Sequence, residues 1–145
     1  MYYDRNSIIA NYDYNKALIF PGYESIDFDY QVIRNVINKQ MMDWKTALKN
    51  VKGVYAIFDK FTGKKYVGSA YGDSEIWSRW EQYILNGHGG NKELVKLMDD
   101  KGHNYAKQNY KFTLLEHHPM FTADDMKILR ESFWKDALLS RNFGY

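Results

Sequence analysis

The sequence has no cysteine among its 145 residues, which excludes a disulfide framework and a cysteine-ligated zinc site and leaves a reducing compartment open. It has no apolar run near the ~20 residues that a membrane-spanning helix requires. Its first residues, "MYYDRNSIIANYDYN", carry no apolar segment of the kind a secretory leader uses, so the expected setting is soluble and cytoplasmic. It also lacks a strong charge of either sign. Twenty Lys and Arg against 18 Asp and Glu give a formal charge of +2, well short of a histone-like polycation. There is no internal repeat and no low-complexity tract. Aromatic residues, by contrast, are abundant, at 17% of the chain with 13 tyrosines, each an apolar body with a polar tip. With 45% hydrophobic residues the chain can bury one core.

Organisation follows from the pattern of apolar positions. After the Pro21-Gly22 turn, "SIDFDY" alternates, with Ile26, Phe28 and Tyr30 on one side, and reads as a half-buried strand. "YQVIRNVINKQ" spaces Val32, Ile33, Val36 and Ile37 as a helix does, and Asp43 can cap a short helix carrying Trp44 and Leu48. "VYAIFD" and "KYVGSA" are two strands joined by "KFTGK", a link too short for a crossover, so they pair antiparallel. In "EIWSRWEQYIL", Ile76, Trp80, Tyr83 and Ile84 form a buried stripe, with Asp73 or Ser74 as the cap. "NGHGGN" is a loop, "KELVKLMDDKG" a helix that stops at Gly102, and "YKFTLLEHH" a third strand. "FTADDMKILRESFWKDALLSR" reads as one long helix opened by a Thr122/Asp125 capping box, with Met126, Leu129, Phe133 and Ala137 as its core stripe. The expected fold is α+β, a small three-stranded antiparallel sheet flanked by helices over residues 51–145, with residues 1–50 as a strand-and-helix extension packed on it.

Two tripeptides stand out on the hairpin, Gly53-Val54-Tyr55 and Tyr66-Val67-Gly68, each a tyrosine beside a glycine. With "WSRWEQY", "GHGGNKEL", "KFTLLE" and "ESFWKDALLSRNFGY" following in order, residues 51–145 resemble the GIY-YIG endonucleases. The resemblance covers two-thirds of the chain. It implies a three-stranded sheet flanked by helices and metal-dependent cleavage of a DNA phosphodiester. The family pattern carries an asparagine after its final Gly-Tyr pair, a position that would follow Tyr145 here; Asn142 comes too early for it.

The resemblance also assigns roles. Phosphodiester hydrolysis needs a deprotonated water, neutralised phosphorane charge, a stabilised leaving oxygen and an in-line strand. Tyr55 corresponds to the general base and Tyr66 to its positioning partner, and a strand hairpin can point both hydroxyls to one face. A phenol is a weak base near neutrality unless a metal or a cation such as Arg79 or Lys65 lowers its pKa. Arg79 corresponds to the phosphate clamp, with a permanent charge and a fork that fits phosphate oxygens. Tyr83 shares its face at i+4 and would orient water or metal. His88 corresponds to a histidine that contacts phosphate or water. Glu131 corresponds to the glutamate that holds a single Mg²⁺ (or Mn²⁺), an ion satisfied by one carboxylate and several waters. Lys64, Lys65, Lys92, Lys96 and Lys107 are candidate contacts to DNA backbone phosphates.

Plainer readings stand beside these. Arg79 can be a solvated charge lying over Trp80, Tyr83 an edge aromatic of the core, His88 an exposed turn residue, and Glu131 a surface acid paired with Lys127 or Lys135. Adjacent strand residues His117 and His118 point to opposite faces, which disfavours a shared metal. Two other functions fit the same residues less well. A non-cleaving nucleic-acid-binding module has no need of the carboxylate, and a protein-interaction domain would use the Tyr-rich N-terminus.

Overall fold

The computed structural model describes residues 18–143. The Tyr-rich stretch 1–17 and the final Gly-Tyr pair lie outside the described residues, and so does any test of a role for them. A 3₁₀ turn at Tyr23–Ser25 leads into strand β1 (Asp27–Asp29), helices α1 (Tyr30–Asn38) and α2 (Met42–Lys49), and the hairpin β2 (Val51–Asp59) and β3 (Lys65–Ala70). Helices α3 (Ile76–Asn86), α4 (Lys92–Lys101) and α5 (His103–Asn109) follow, then β4 (Tyr110–Pro119), α6 (Met126–Ala137) and α7 (Ser140–Phe143).

The sheet is antiparallel with the order β1-β4-β2-β3. It therefore has four strands where the pattern of residues suggests three, because the strand within residues 1–50 joins the same sheet by pairing with β4. Strand β2 sits in the middle and is buried on both faces, which accounts for its almost unbroken apolar run. Tyr55 stands opposite Gly68 on β3 and opposite Leu114 on β4. One residue earlier the β4 register slips, so that Val54 faces Glu116. The slip sends Glu116 to the other side of the sheet from Leu114 and Phe112.

The two faces differ in character. Tyr55, Ile57, Tyr66, Phe112 and Leu114 point toward α1, α2, α3 and α5 and make the main core with the buried stripes of those helices. Trp80 and Tyr83 meet Phe112 with ring centroids 5.3 and 6.1 Å apart. Full burial of each such aromatic contributes about 1.5–3 kcal/mol. Tyr30, the first residue of α1, reaches across this core, donating to the Ile84 carbonyl (2.9 Å) and meeting His103 Nε2 at 2.8 Å. The opposite face presents Lys52, Val54, Ala56, Ser69 and Glu116, and α6 lies over it.

Helix α6 departs most from expectation. Its anticipated core stripe is exposed, Met126 by 39%, Leu129 by 65% and Phe133 by 50%, with Ala137 also exposed. The helix is turned so that Arg130 and Trp134 face the sheet. Both donate to the Glu116 carboxylate, Arg130 from Nε (2.9 Å) and Nη2 (2.6 Å) and Trp134 from Nε1 (2.6 Å). Charge-assisted bonds to a half-buried acid override the apolar pattern. The long helix also breaks. Leu139 takes φ 57°, and Lys65 Nζ donates to the Leu138 carbonyl at the α6 terminus (3.1 Å). The expected capping box makes no side-chain bond at Asp125, the α3 N-terminus is likewise uncapped, and Asp43 lies inside α2 with its carboxylate on Phe20 N. Helix α5 escapes an apolar-periodicity reading because it is short and mostly polar, with Ala106 its buried residue.

The glycine of the first tripeptide has a steric cause. A Cβ on Gly53 would lie 2.1 Å from the Glu116 backbone oxygen, so β4 can approach only a glycine there. Gly53→Ala is expected to destabilise the fold by about 1–3 kcal/mol, measured as a lower urea midpoint; an unchanged midpoint would mean the two strands have room to spare.

Candidate active site

Three elements meet at the β3 edge of the sheet. Helix α3 arrives from the core face, α6 from the other, and Gly68 lies between them with no side chain to separate the two. The result is an open, polar cleft of ≈ 600 Å³. Arg79 and Tyr83 enter it from α3, Glu131, Lys127 and Lys135 from α6, Ser69 from the end of β3 and Tyr71 just beyond it, and Gly89, Gly90 and Asn91 from the loop after α3.

Tyr83 is placed by a close approach. Its ring lies against Gly89, where an added Cβ would sit 2.7 Å from Cζ, and Gly89 has φ 55°, a conformation that suits glycine. Arg79 lies over the Tyr83 ring (5.8 Å to the centroid) and donates to the Gly89 carbonyl (3.0 Å) and to Gln82 Oε1 (3.0 Å). Its fork is thereby oriented from both ends. Glu131 accepts a hydrogen bond from Ser69 on one oxygen, while Lys135 Nζ is 3.9 Å from the other. Ser69 and Glu131 meet because residue 69, paired with Val54, points to the α6 side of the sheet, while the next pair along, Gly68 and Tyr55, points to the core side.

Of the residues expected to converge, Arg79, Tyr83 and Glu131 do so. Tyr55 does not reach the cleft wall. It is 0% exposed, stacked behind Gly68, where an added Cβ would be 2.7 Å from its hydroxyl. Its hydroxyl instead shares a hydrogen bond with that of Tyr83 (3.3 Å). Burial pushes the Tyr55 hydroxyl well above the usual phenol range, the neighbouring Tyr83 adds to this, and Arg79 offsets only part of it. Tyr55, expected to act as the general base, thus lies behind the cleft lining in contact with Tyr83. Tyr66 shares its face but packs against Tyr110 (6.3 Å between centroids), buried and outside the cleft lining. His88 is also outside it. Its Nδ1 accepts from Gly90 N (2.8 Å), and that loop offers the cleft its glycines and Asn91 instead.

The basic residues divide. Lys92 and Lys96 are exposed on α4, which starts at the cleft through its cap Asn91. Lys64 ends the hairpin turn. Lys65 is engaged with the α6 terminus, and Lys107 lines a different groove, beyond α3. The cleft itself holds Lys127 and Lys135, which the sequence offers only as ion-pair partners of Glu131. Ser69 and Tyr71 also escape a reading of the sequence; their proximity to Gly68 along the chain is the signal that points to them. The Tyr71 hydroxyl is buried without a hydrogen-bond partner among the described residues, and burial with the nearby Glu116 charge pushes it up.

Among the described residues no three His, Cys, Asp or Glu side chains gather as a metal cage. Glu131 is the carboxylate lining the cleft that could hold a cation, with Ser69 on one oxygen and Lys135 3.9 Å from the other. Glu116 is saturated by Arg130, Trp134 and His118, and Asp124 accepts from Gly72 N and Lys52. One hard oxygen donor in an open polar cleft suits Mg²⁺ or Mn²⁺, which retain several waters. His117 stacks on Tyr23 (4.2 Å) and His118 bonds Glu116, so the two histidines are engaged separately.

The fold and cleft define an α+β protein with a guanidinium, a phenol and a carboxylate lining one open polar cleft. No family model matches the chain, and no curated protein does. Among solved structures, the catalytic domain of the intron endonuclease I-TevI, in a point-mutant form, is similar, with 28% identity over 66% of this chain and 91% of that one and a TM-score of 0.48.

The Glu116 network carries a pH dependence. Although burial pushes this carboxyl up, Arg130, Trp134 and His118 hold it down at about 2. A depressed acid stabilises the fold above its unfolded pKa and loses that contribution as pH falls through the folded one. Stability should therefore drop by about 1–3 kcal/mol between about pH 4.5 and 2, the lower figure allowing for screening by solvent. Glu116→Gln should start lower and lose less over the same interval in urea titrations; parallel curves would assign the acid sensitivity to other groups.

Proposed function

We propose that this protein is a divalent-cation-dependent endonuclease that hydrolyses DNA phosphodiester bonds. The observation that carries the reading is the convergence of Arg79, Tyr83 and Glu131, from helices on opposite sides of the sheet, onto one cleft at Gly68. Nothing in the packing of the core requires a carboxylate at that point, and a phosphodiester uses all three groups.

Arg79 binds the non-bridging oxygens of the scissile phosphate, its fork fixed by Gly89 and Gln82, and neutralises charge that grows as the phosphorane forms. Lys127 and Lys135 add positive charge on the α6 side and hold the flanking strand. Tyr83, in its phenolate form, accepts a proton from the water that attacks phosphorus and becomes the neutral phenol, and it is steadied from behind by Tyr55. The P–O bond to the leaving oxygen breaks as the new P–O bond forms, and that oxygen ends protonated by solvent. Glu131, held by Ser69, would carry Mg²⁺ or Mn²⁺. When bound, such an ion supplies Lewis-acid stabilisation of the phosphate and of the departing oxygen. Burial pushes the Tyr83 phenol above its ordinary range against the pull of the Tyr55 hydrogen bond and of Arg79. The acceptor is therefore mostly protonated at neutral pH, and its active form grows about tenfold per pH unit.

Two measurements check this. Plasmid nicking with Mg²⁺ should fall by about 10²–10³-fold in Arg79→Ala and in Glu131→Ala; variants that nick like the parent would end the assignment. A parent that binds DNA without nicking it would instead make this a binding module. The nicking rate should rise with pH between about 7 and 9, with a slope near one, and Tyr83→Phe should flatten the rise; an unaltered profile would move proton acceptance to another group.

A further inference from the structure

A second groove lies next to the cleft across α3, walled by α1 and α5, with a volume of ≈ 660 Å³. Arg34 and Asn38 of α1, Gln40 just after it, and Lys107 of α5 line it, with Glu81 and Gln82 of α3 along the shared wall. Gln82 also lines the cleft and accepts a hydrogen bond from Arg79 there. One side chain thus touches both openings. Among the described residues neither Arg34 nor Lys107 takes part in an ion pair, and the Arg34 guanidinium makes a long hydrogen bond, 3.4 Å, to Gln31 on its own helix. The two cations outnumber the single acid, Glu81, in a groove whose remaining lining is the amides of Asn38, Gln40 and Gln82 over an apolar floor of Ile37, Ile84 and Leu85. His103 is occupied by Tyr30.

We propose that this groove is a second contact for the DNA backbone, formed between the N-terminal extension and helices α3 and α5 and joined to the cleft at Gln82. The inference rests on the nuclease reading of the cleft and adds to it a substrate track. Arg and Lys without acidic partners, set beside side-chain amides, are the groups that hold phosphate and sugar without reading bases. The two openings lie on adjacent faces of one helix, roughly 10 Å across. That separation is about three phosphate steps along a strand at ~3.4 Å of rise each, so a strand whose scissile phosphate lies at Arg79 reaches Arg34 and Lys107 a few nucleotides away. The groove also gives residues 18–50 a role in binding, since α1 supplies Arg34 and Asn38, and β1 with Tyr30 fixes α1 on the sheet.

The test is fluorescence anisotropy of a labelled DNA duplex with the full chain in Mg²⁺-free buffer, titrated between about 50 and 200 mM salt. The Arg34→Gln/Lys107→Gln double variant should weaken binding about tenfold and reduce the salt slope by about 1.8, or about 0.9 for each phosphate no longer neutralised. Charge-preserving Arg34→Lys/Lys107→Arg should keep the parental slope, and Lys49→Gln, at the far end of α2, should leave both quantities unchanged. An unchanged slope in the double Gln variant, with binding still weakened by Arg79→Gln, overturns the groove and leaves the nuclease reading standing. A parent chain that does not bind the duplex overturns both.

Discussion

At Gly68 the ring of Tyr55 occupies the space where a side chain would stand. That packing lowers the edge strand to bare backbone at the one point where helices from both sides of the sheet approach it. A methyl group there would displace Tyr55, and with it the hydroxyl that bonds Tyr83. The same arrangement recurs at Gly89, whose missing side chain makes room for the Tyr83 ring. Two aromatic rings seated on two glycines fix the height of the phenol above the sheet, and the guanidinium of Arg79 is fixed in turn because it lies over that ring. The glycines beside the tyrosines in the hairpin thus act separately. Gly53 admits the β4 backbone, while Gly68 admits an aromatic ring and leaves a passage.

Much of this is legible in the amino-acid pattern, and the parts that are not have identifiable causes. Two short strand-like runs around a five-residue link locate the hairpin, and the spacing of Ile76, Trp80, Tyr83 and Ile84 identifies the inward side of α3, because that helix buries one apolar stripe against one apolar face. The joining of Arg79 and Tyr83 follows from their i, i+4 spacing. Helix α6 defeats the same approach because it obeys a different rule: its apolar residues face out, and polar contacts attach it to the sheet, Arg130 and Trp134 on Glu116, Ser69 on Glu131 and Lys65 on the Leu138 carbonyl. No periodicity announces a helix held by hydrogen bonds rather than by an apolar stripe. The fate of Tyr55 and Tyr66 is hidden for another reason. Strand parity gives the side to which a residue points, and both tyrosines do point to one side, but parity says nothing of depth. Depth comes from Trp80, Tyr83, Tyr110 and Phe112, which close over them. The position of His88 is not readable because a loop of glycines has no period.

The two faces of the sheet also divide the chemistry. The core face supplies the permanent positive charge and the phenols from elements locked by aromatic packing. The other face supplies the acid from a helix whose attachment is polar and local. Strand pairing connects them, since Tyr55 and Ser69 lie on neighbouring strands and point to opposite sides, each supporting one half of the cleft.

The outward-turned Met126, Leu129 and Phe133 mean that α6 buries little apolar surface against the sheet. Regions with few buried apolar contacts open at free energies below that of global unfolding. Partial detachment of α6 would take Glu131 away from Ser69 while leaving Arg79, Tyr83 and the whole aromatic core as they are. Glu131 is in this sense a removable component, since it rides on the helix with the least buried apolar surface while Arg79 and Tyr83 ride on the aromatic core.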